Sequence, residues 1–128
     1  MTALEKAVLI VEDEHVIAMG LSAQIEDMGL EVCATADTAD GAVALARSHC
    51  PAIILMDVRL RGEKDGIDAA QAIYESVGSK IIFITGSREQ KTIDRIAQDH
   101  PFATLFKPIT DRQLQATVRE AMLAAGQV

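Results

Sequence analysis

Short apolar runs alternate with longer segments in which apolar residues recur every three or four positions. Three short apolar runs stand out, at residues 7–11, 52–56 and 80–84, the last of which begins with Lys80. Runs of about five apolar residues are typical of strands buried on both faces, as in a parallel sheet covered by helices. Two weaker segments, 31–36 and 103–106, fit the same rhythm. The pattern therefore predicts five strands.

The segments between these runs carry the periodicity of amphipathic helices. The apolar stripes of the first three are Ile17, Leu21, Ile25 and Met28, then Ala39, Ala42, Val43 and Ala46, then Ile67, Ala70, Ile73, Tyr74 and Val77. The last two helices are predicted to begin at capping boxes, at 87–90 and 110–113. Strict alternation of strand and helix predicts an α/β protein with a doubly wound, five-stranded parallel sheet.

The length of 128 residues suits one globular domain, so we expect a single domain over residues 1–128. The formal net charge is −7, and the 12 Lys and Arg residues form no cluster. Binding of nucleic acid by this chain alone is not expected, because no basic patch offsets the repulsion from phosphates. An acidic chain instead attracts divalent cations and basic partner surfaces.

The sequence shows no pattern typical of a membrane span, a signal peptide or a zinc site. No apolar stretch approaches the length of a membrane span, and the N-terminus lacks the apolar core of a signal peptide. Cys33 and Cys50 match no zinc spacing and are expected to be buried or half-buried thiols in a reducing compartment. These features predict a cytoplasmic protein without membrane insertion.

Polar side chains stand where the predicted strands end. They are Glu12 and Asp13 after the first strand, Asp57 after the third, Thr85 after the fourth and Lys107 after the fifth. The carboxyl ends of parallel strands meet at one edge of a sheet, where ligands bind. Carboxylates so close repel one another unless a cation lies between them, and Mg²⁺ prefers carboxylate and phosphate oxygens. An Asp carboxylate can also form an aspartyl-phosphate.

Each of these residues has an ordinary structural interpretation when taken alone. The acidic residues after the first strand could cap a helix, and Asp57 could be an ordinary Asp after an apolar run. Thr85 could be a turn residue, and Lys107 could be a solvated charge. Together these interpretations require four independent coincidences at one sheet edge. A phosphoacceptor site centred on Asp57 explains them at once.

Five short motifs occur in order along the chain: VEDE at 11–14, LMDV at 55–58, DG at 65–66, ITG at 84–86 and KP at 107–108. In this order the chain resembles the receiver domain of two-component response regulators, over essentially its whole length. The resemblance implies a flavodoxin-like (βα)5 fold with strand order 2-1-3-4-5. It also implies a cis peptide bond before Pro108.

The same resemblance assigns roles to the site. Asp57 would be the phosphoacceptor, and Mg²⁺ would be held by Asp57, Glu12, Asp13 and the backbone carbonyl of Arg59. Thr85 would be the switch hydroxyl and Lys107 the cation that binds the phosphoryl group.

The resemblance also implies partners. A sensor histidine kinase or a phosphotransfer protein would supply the phosphoryl group. A downstream protein would bind the face formed by the fourth helix, the fifth strand and the fifth helix, and the chain would be a monomer or a weak dimer through that face.

The alternatives to this function are a phosphate sink or shuttle without output, a fragment of a longer regulator, or a scaffold that acts without phosphorylation. An aspartyl-phosphate phosphatase would need a second Asp two residues after Asp57, where Arg59 stands, so we do not expect an enzyme.

Two features depart from the family pattern. The loop after Asp57 is one residue longer than usual, and Arg61 stands where the family usually has proline. Its charged residues either tune partner choice and phosphoryl lifetime or are simply solvated. Thr104 stands where receiver domains usually carry an aromatic residue, so the signal is expected to leave through Phe106 instead.

Overall fold

The computed structural model describes residues 7–126 and contains five strands and five helices in strict alternation. The strands are β1 (Ala7–Val11), β2 (Glu31–Ala36), β3 (Ile53–Asp57), β4 (Lys80–Thr85) and β5 (Ala103–Phe106). The helices are α1 (His15–Asp27), α2 (Ala39–His49), α3 (Gly66–Ser76), α4 (Gln90–Ala97) and α5 (Asp111–Ala124). The ends of the predicted domain, residues 1–6 and 127–128, lie outside the described residues.

All five strands are parallel and lie in the order β2-β1-β3-β4-β5, which confirms the predicted flavodoxin-like topology. Alternate residues of β1 show how both faces are covered. Val8 and Ile10 pack with α1 and α5, whereas Leu9 and Val11 pack with α2 and α3. Period-two alternation places successive side chains on opposite faces, so a strand covered on both faces is apolar throughout.

The strand ends differ by one residue from the predicted ones, and the difference concerns the site. β3 includes Asp57, and β4 includes Thr85, so both residues belong to the sheet rather than to the loops after it. Asp57 is paired with Ile84, and Thr85 is paired with Phe106. Their side chains therefore start from backbone that the sheet holds in place.

One of the two predicted capping boxes is wrong. α4 begins at Gln90, after an N-cap Glu89 whose side chain makes no capping bond, and the Ser87 hydroxyl accepts from the Glu89 N–H at 3.2 Å instead. The box that starts α5 is confirmed, with Thr110 and Gln113 bonded reciprocally. Residues 87–89 therefore form a loop beside the site rather than a helical turn.

Three positions predicted to be buried or half-buried are more exposed than expected. Ile17 is 38% exposed and Tyr74 is 46% exposed, where the ring of Tyr74 stacks on His100 with centroids 3.9 Å apart. Cys50 is exposed at the end of α2, where its backbone is left-handed, whereas Cys33 is half-buried as predicted. Periodicity identified the helices correctly but not the limits of their buried stripes.

Gly66 permits the closest approach between a helix and the sheet. It is the first residue of α3, and its N–H donates to the carbonyl of Val58 at 2.7 Å. A Cβ at this position would press into the backbone carbonyl of Asp57, well inside van der Waals contact. The start of α3 therefore lies directly on the residue at the centre of the site, and any side chain at Gly66 would displace one of them.

Gly66→Ala is expected to destabilise the protein by about 1–3 kcal/mol, because backbone has to shift to admit the methyl group. Gly20→Ala is the matched control, since Gly20 lies in α1 and a Cβ added there would meet nothing within 4 Å. This control should stabilise the protein by about 0.5–1 kcal/mol through helix propensity. Urea unfolding followed by circular dichroism measures both, and equal effects of the two substitutions would contradict the crowding at Gly66.

A polar clamp joins α3 to α4. Asp65 caps α3 by accepting from the N–H groups of Ile67 and Asp68, and it also accepts from Arg95 of α4 at 2.7 Å. Arg95 reaches Asp68 as well, at 3.4 Å. Burial acts to raise the pKa of Asp65, but hydrogen bonds from Arg95 and the Asp68 N–H outweigh it and hold that pKa below its usual value. Ile96 is the one buried side chain of α4, and this clamp gives the helix a second point of attachment.

Asp65→Asn keeps a good N-cap but removes the charge that Arg95 binds. At pH 7 the variant should be less stable by about 0.5–1 kcal/mol. Because the pKa of Asp65 is lower in the folded state, its ionised form stabilises the fold at pH values above the unfolded pKa of about 3.9. This stabilisation is lost as the pH falls through the folded-state pKa. The difference should therefore shrink below about pH 4. Urea unfolding across this range tests it against Glu26→Gln on α1, and a difference that persists at acid pH would contradict the ionic origin.

Candidate functional site

The predicted polar residues come together at the carboxyl edge of the sheet. Asp57 and Thr85 end β3 and β4, Glu12 and Asp13 follow β1, and Lys107 follows β5. An open cleft at this edge is lined by residues that include Asp13, Asp57, Thr85 and Lys107. Backbone hydrogen bonds fix its rim, since the Glu12 N–H donates to the carbonyl of Ala36 and the Lys107 N–H donates to that of Thr85.

Three carboxylates form one cluster at the base of the cleft. Each of Glu12, Asp13 and Asp57 offers an oxygen, and these oxygens all lie within 4.8 Å of one another. Glu12 is 4% exposed and Asp57 is 5% exposed, whereas Asp13 is half-buried. Such a cluster matches the ligand chemistry of Mg²⁺, which takes one or two carboxylates together with water or phosphate oxygens.

Lys107 supplies the one ammonium in contact with this cluster among residues 7–126. Its Nζ lies 3.4 Å from Asp57 Oδ2 and 3.6 Å from Glu12 Oε1. One positive charge is thus shared between two buried negative ones. The cluster keeps excess negative charge, which favours a divalent cation at the same place.

Both buried carboxyl groups have raised pKa values. Burial raises the pKa of Glu12 to about 7. A hydrogen bond from the Glu14 N–H opposes this shift, and the charge of Asp57 adds to it. Burial also raises the pKa of Asp57, although Lys107 opposes the shift. The ionised carboxylates are therefore costly without a bound cation. The chemistry of the donor set, three clustered carboxylates of which two are almost fully buried, therefore fits a divalent cation.

Thr85 connects the site to the loop before α4. Its side chain is buried, and its hydroxyl oxygen accepts from the Ser87 N–H at 3.0 Å. The hydroxyl hydrogen is left to donate to an oxygen in the cleft. A change in the position of Thr85 would therefore be transmitted to residues 86–89.

Arg59 lines the same cleft two residues after Asp57. Its carbonyl as a metal ligand remains a prediction. The peptide bond between Lys107 and Pro108 is cis, as the sequence resemblance implied.

The longer loop after Asp57 is tied to the neighbouring β2–α2 segment. Arg61 pairs with Asp37 at 3.7 Å, and Lys64 pairs with Asp40 at 3.5 Å. Arg61 also donates its backbone N–H to the carbonyl of Asp37. The loop carries four charged residues, Arg59, Arg61, Glu63 and Lys64, and two of them therefore have specific partners. No sequence pattern indicates these pairs, because the partners lie on a different β–α unit.

Arg88 is a residue of this region that the sequence did not single out. Its guanidinium lies over the ring of Phe106, 4.5 Å from the centroid. The contact depends on the path of residues 86–89, which no local pattern encodes.

Comparisons with known proteins agree with this geometry. The family described as "Response regulator receiver domain" matches residues 8–119. The transcriptional regulatory protein PdtaR of Mycobacterium tuberculosis is 32% identical over 120 residues, which cover 94% of this chain and 58% of that protein. The phyllosphere-induced regulator PhyR of Methylorubrum extorquens is 32% identical over 116 residues, which cover 90% of this chain and 43% of that protein.

Solved structures show the same likeness. The signal receiver domain of a modulated diguanylate cyclase from Desulfovibrio desulfuricans G20 superposes with a TM-score of 0.87 at 33% identity, covering 94% of this chain and 95% of that one. A CheY-like receiver domain protein from Methanospirillum hungatei JF-1 gives 0.86 at 24% identity, covering 95% and 97%.

The chain belongs to the response regulator receiver domain family of two-component signalling. It spans about half the length of the curated relatives that it matches. Within residues 7–126, no helix has both the length and the apolar character needed to cross a membrane.

Removing one buried charge should stabilise the protein when no divalent cation is present. Asp57→Asn is expected to raise the free energy of unfolding by about 1 kcal/mol in EDTA at pH 8, because an amide carries no charge to desolvate. Added Mg²⁺ should stabilise the wild type and leave the variant nearly unchanged, since only a native-state site gains from linkage. Urea unfolding with and without Mg²⁺ measures both effects. A less stable Asp57→Asn protein in EDTA would contradict the electrostatic account.

Proposed function

We propose that this chain is a phosphorylation switch in which Asp57 accepts a phosphoryl group from a sensor histidine kinase or a phosphotransfer protein. The observation that carries the proposal is the surroundings of Asp57. Its buried carboxylate lies 3.4 Å from the Lys107 ammonium and within 4.8 Å of carboxylate oxygens of Glu12 and Asp13. Membership of the receiver family supports the same role.

In the proposed step, a carboxylate oxygen of Asp57 forms a bond to phosphorus while the bond from phosphorus to the donor imidazole nitrogen breaks. The bonding electron pair stays on that nitrogen. The departing imidazole is neutral if its other ring nitrogen already carries a proton, and otherwise it takes one proton from water. Lys107 would neutralise one phosphoryl oxygen, and the Thr85 hydroxyl would donate to another. Glu12 and Asp13, with the Arg59 carbonyl, would hold Mg²⁺ beside Asp57. When bound, Mg²⁺ neutralises charge on the phosphoryl group.

The proposed output is a change in binding at the α4–β5–α5 face. Phosphorylation adds about −1.5 to −2 charges at Asp57 and biases a two-state element nearby. The hydrogen bond between Thr85 and Ser87 links the site to the loop before α4. In this function the chain acts chemically only on its own Asp57 and is not an enzyme toward a separate substrate. A cytoplasmic location, where a kinase domain would meet it, stays a prediction.

Two versions of the function differ in the fate of the phosphorylated protein. An activator binds a separate protein more tightly or more weakly once it is phosphorylated, whereas a phosphate sink or shuttle returns the group without such a change. The same domain inside a longer regulator would act on a covalently attached output. Pull-down with unphosphorylated and phosphorylated protein separates the first version from the second.

Incubation with acetyl phosphate and Mg²⁺ tests the chemistry directly. Intact mass should show an adduct of about 80 Da on the wild type, the mass of one phosphoryl group. The adduct should disappear in EDTA and in Asp57→Asn. Lys107→Ala should form it at least about tenfold more slowly, because a charge that stabilises the transition state is lost.

Lys91→Ala is the matched control, since Lys91 lies in α4 and is exposed. It should form the adduct at the wild-type rate. An unmodified wild type, or equal adduct on Asp57→Asn, would overturn the proposed function.

A further inference from the structure

The contact between Arg88 and Phe106 lies directly beside the phosphoacceptor site. Thr85 and Phe106 are partners in the β4–β5 ladder, and Phe106 immediately precedes Lys107. The Arg88 guanidinium rests on the Phe106 ring at 4.5 Å from its centroid. Phe106 is therefore the chain neighbour of Lys107, which contacts Asp57, and the ladder partner of Thr85, which lines the cleft.

Arg88 also belongs to the cleft itself. It lines the same cleft as Asp57 and Lys107, and it lies in the loop whose Ser87 N–H donates to the Thr85 hydroxyl. Within residues 7–126, no acidic side chain forms an ion pair with Arg88. A permanently charged side chain thus lines an acidic cleft, and among the described residues it rests on an aromatic ring instead of pairing with a carboxylate.

A phosphoryl group at Asp57 would change the competition for this guanidinium. Arg88 is exposed and Phe106 is half-buried, and a cation that rests on an aromatic ring at a solvated site is held weakly. A phosphoryl group offers about −1.5 to −2 charges and three strong acceptor oxygens, which a guanidinium binds with two parallel hydrogen bonds. Glu12, Asp13 and a phosphoryl group on Asp57 would together carry about four negative charges, whereas Lys107 and a bound Mg²⁺ would supply three positive ones, so a second cationic side chain has an unmet charge to neutralise.

We propose that Arg88 is a second cationic ligand of the phosphoryl group and that its recruitment uncovers the ring of Phe106. This proposal rests on the phosphorylation of Asp57 proposed above. In this proposal Arg88 and Phe106 couple the phosphoryl group to the surface of β5. Thr104 cannot do so, because it has no aromatic ring. The uncovered ring adds apolar surface to the α4–β5–α5 face, so the partner is a protein whose binding surface contains an apolar or aromatic pocket.

Fluorine NMR on protein labelled with 4-fluorophenylalanine reads this change at one position. The chain has three phenylalanines, Phe83, Phe102 and Phe106, and Phe106→Leu assigns the signal. Acetyl phosphate with Mg²⁺ should shift the Phe106 signal in the wild type. In Arg88→Gln the signal should be displaced before phosphorylation, and its shift on phosphorylation should be less than half of the wild-type shift.

Two further variants control the experiment. Arg119→Gln removes an arginine from α5, where it is exposed, and should behave as the wild type does. Arg88→Lys keeps the charge but not the two parallel hydrogen bonds, so its shift should lie between those of the wild type and Arg88→Gln. An Arg88→Gln protein with the full wild-type shift would overturn the role of Arg88, and an Arg88→Lys protein with a shift smaller than that of Arg88→Gln would overturn the contribution of its charge.

Intact mass of the same samples separates the two proposals. If the adduct forms and the Phe106 signal does not move, the Arg88 proposal fails and the phosphoacceptor function stands. If no adduct forms on the wild type, both fail.

Discussion

Two buried carboxylates at the carboxyl ends of neighbouring strands impose the constraint around which this fold is arranged. Glu12 follows β1 and Asp57 ends β3, and both are almost fully removed from solvent with Lys107 shared between them. Burying charge that is only partly compensated costs several kcal/mol in general. The apolar β1 and β3, covered on both faces, supply the stability that permits such a site. The raised pKa values of both carboxyl groups express the same cost.

Most of the fold was predictable because the sheet is buried on both faces. A strand in that position is a continuous apolar run, and a helix beside it has a stripe of period 3.6, so the two patterns differ clearly. The start of α4 was predicted wrongly for a physical reason. Ser87 has the residue type of a helix cap, but its hydroxyl bonds within a loop that the Thr85 hydroxyl organises. Short polar side chains satisfy either geometry, so the pattern alone cannot choose.

The centre of the candidate site was predictable for a related reason, because parallel strands bring their carboxyl ends to one edge. The supporting contacts were not. Asp65 and Arg95 are 30 residues apart, and their meeting depends on how α3 and α4 pack. The contact between Arg88 and Phe106 likewise requires a particular loop path. Such contacts join exposed or half-exposed side chains, which leave no periodic signal in a sequence.

The loop after Asp57 forms one wall of the cleft, and exposed charge pairs hold it to the β2–α2 segment. In the pairs Arg61–Asp37 and Lys64–Asp40, every side chain is more than half exposed. Dissolved ions screen exposed pairs over about 8 Å at physiological ionic strength, and more strongly as salt increases. The buried contacts at Asp57 are shielded from this effect. The pairs that hold the entrance of the cleft therefore weaken as the salt concentration rises, while the buried contacts at its floor are screened much less, so access to Asp57 and the contacts of Asp57 respond differently to salt.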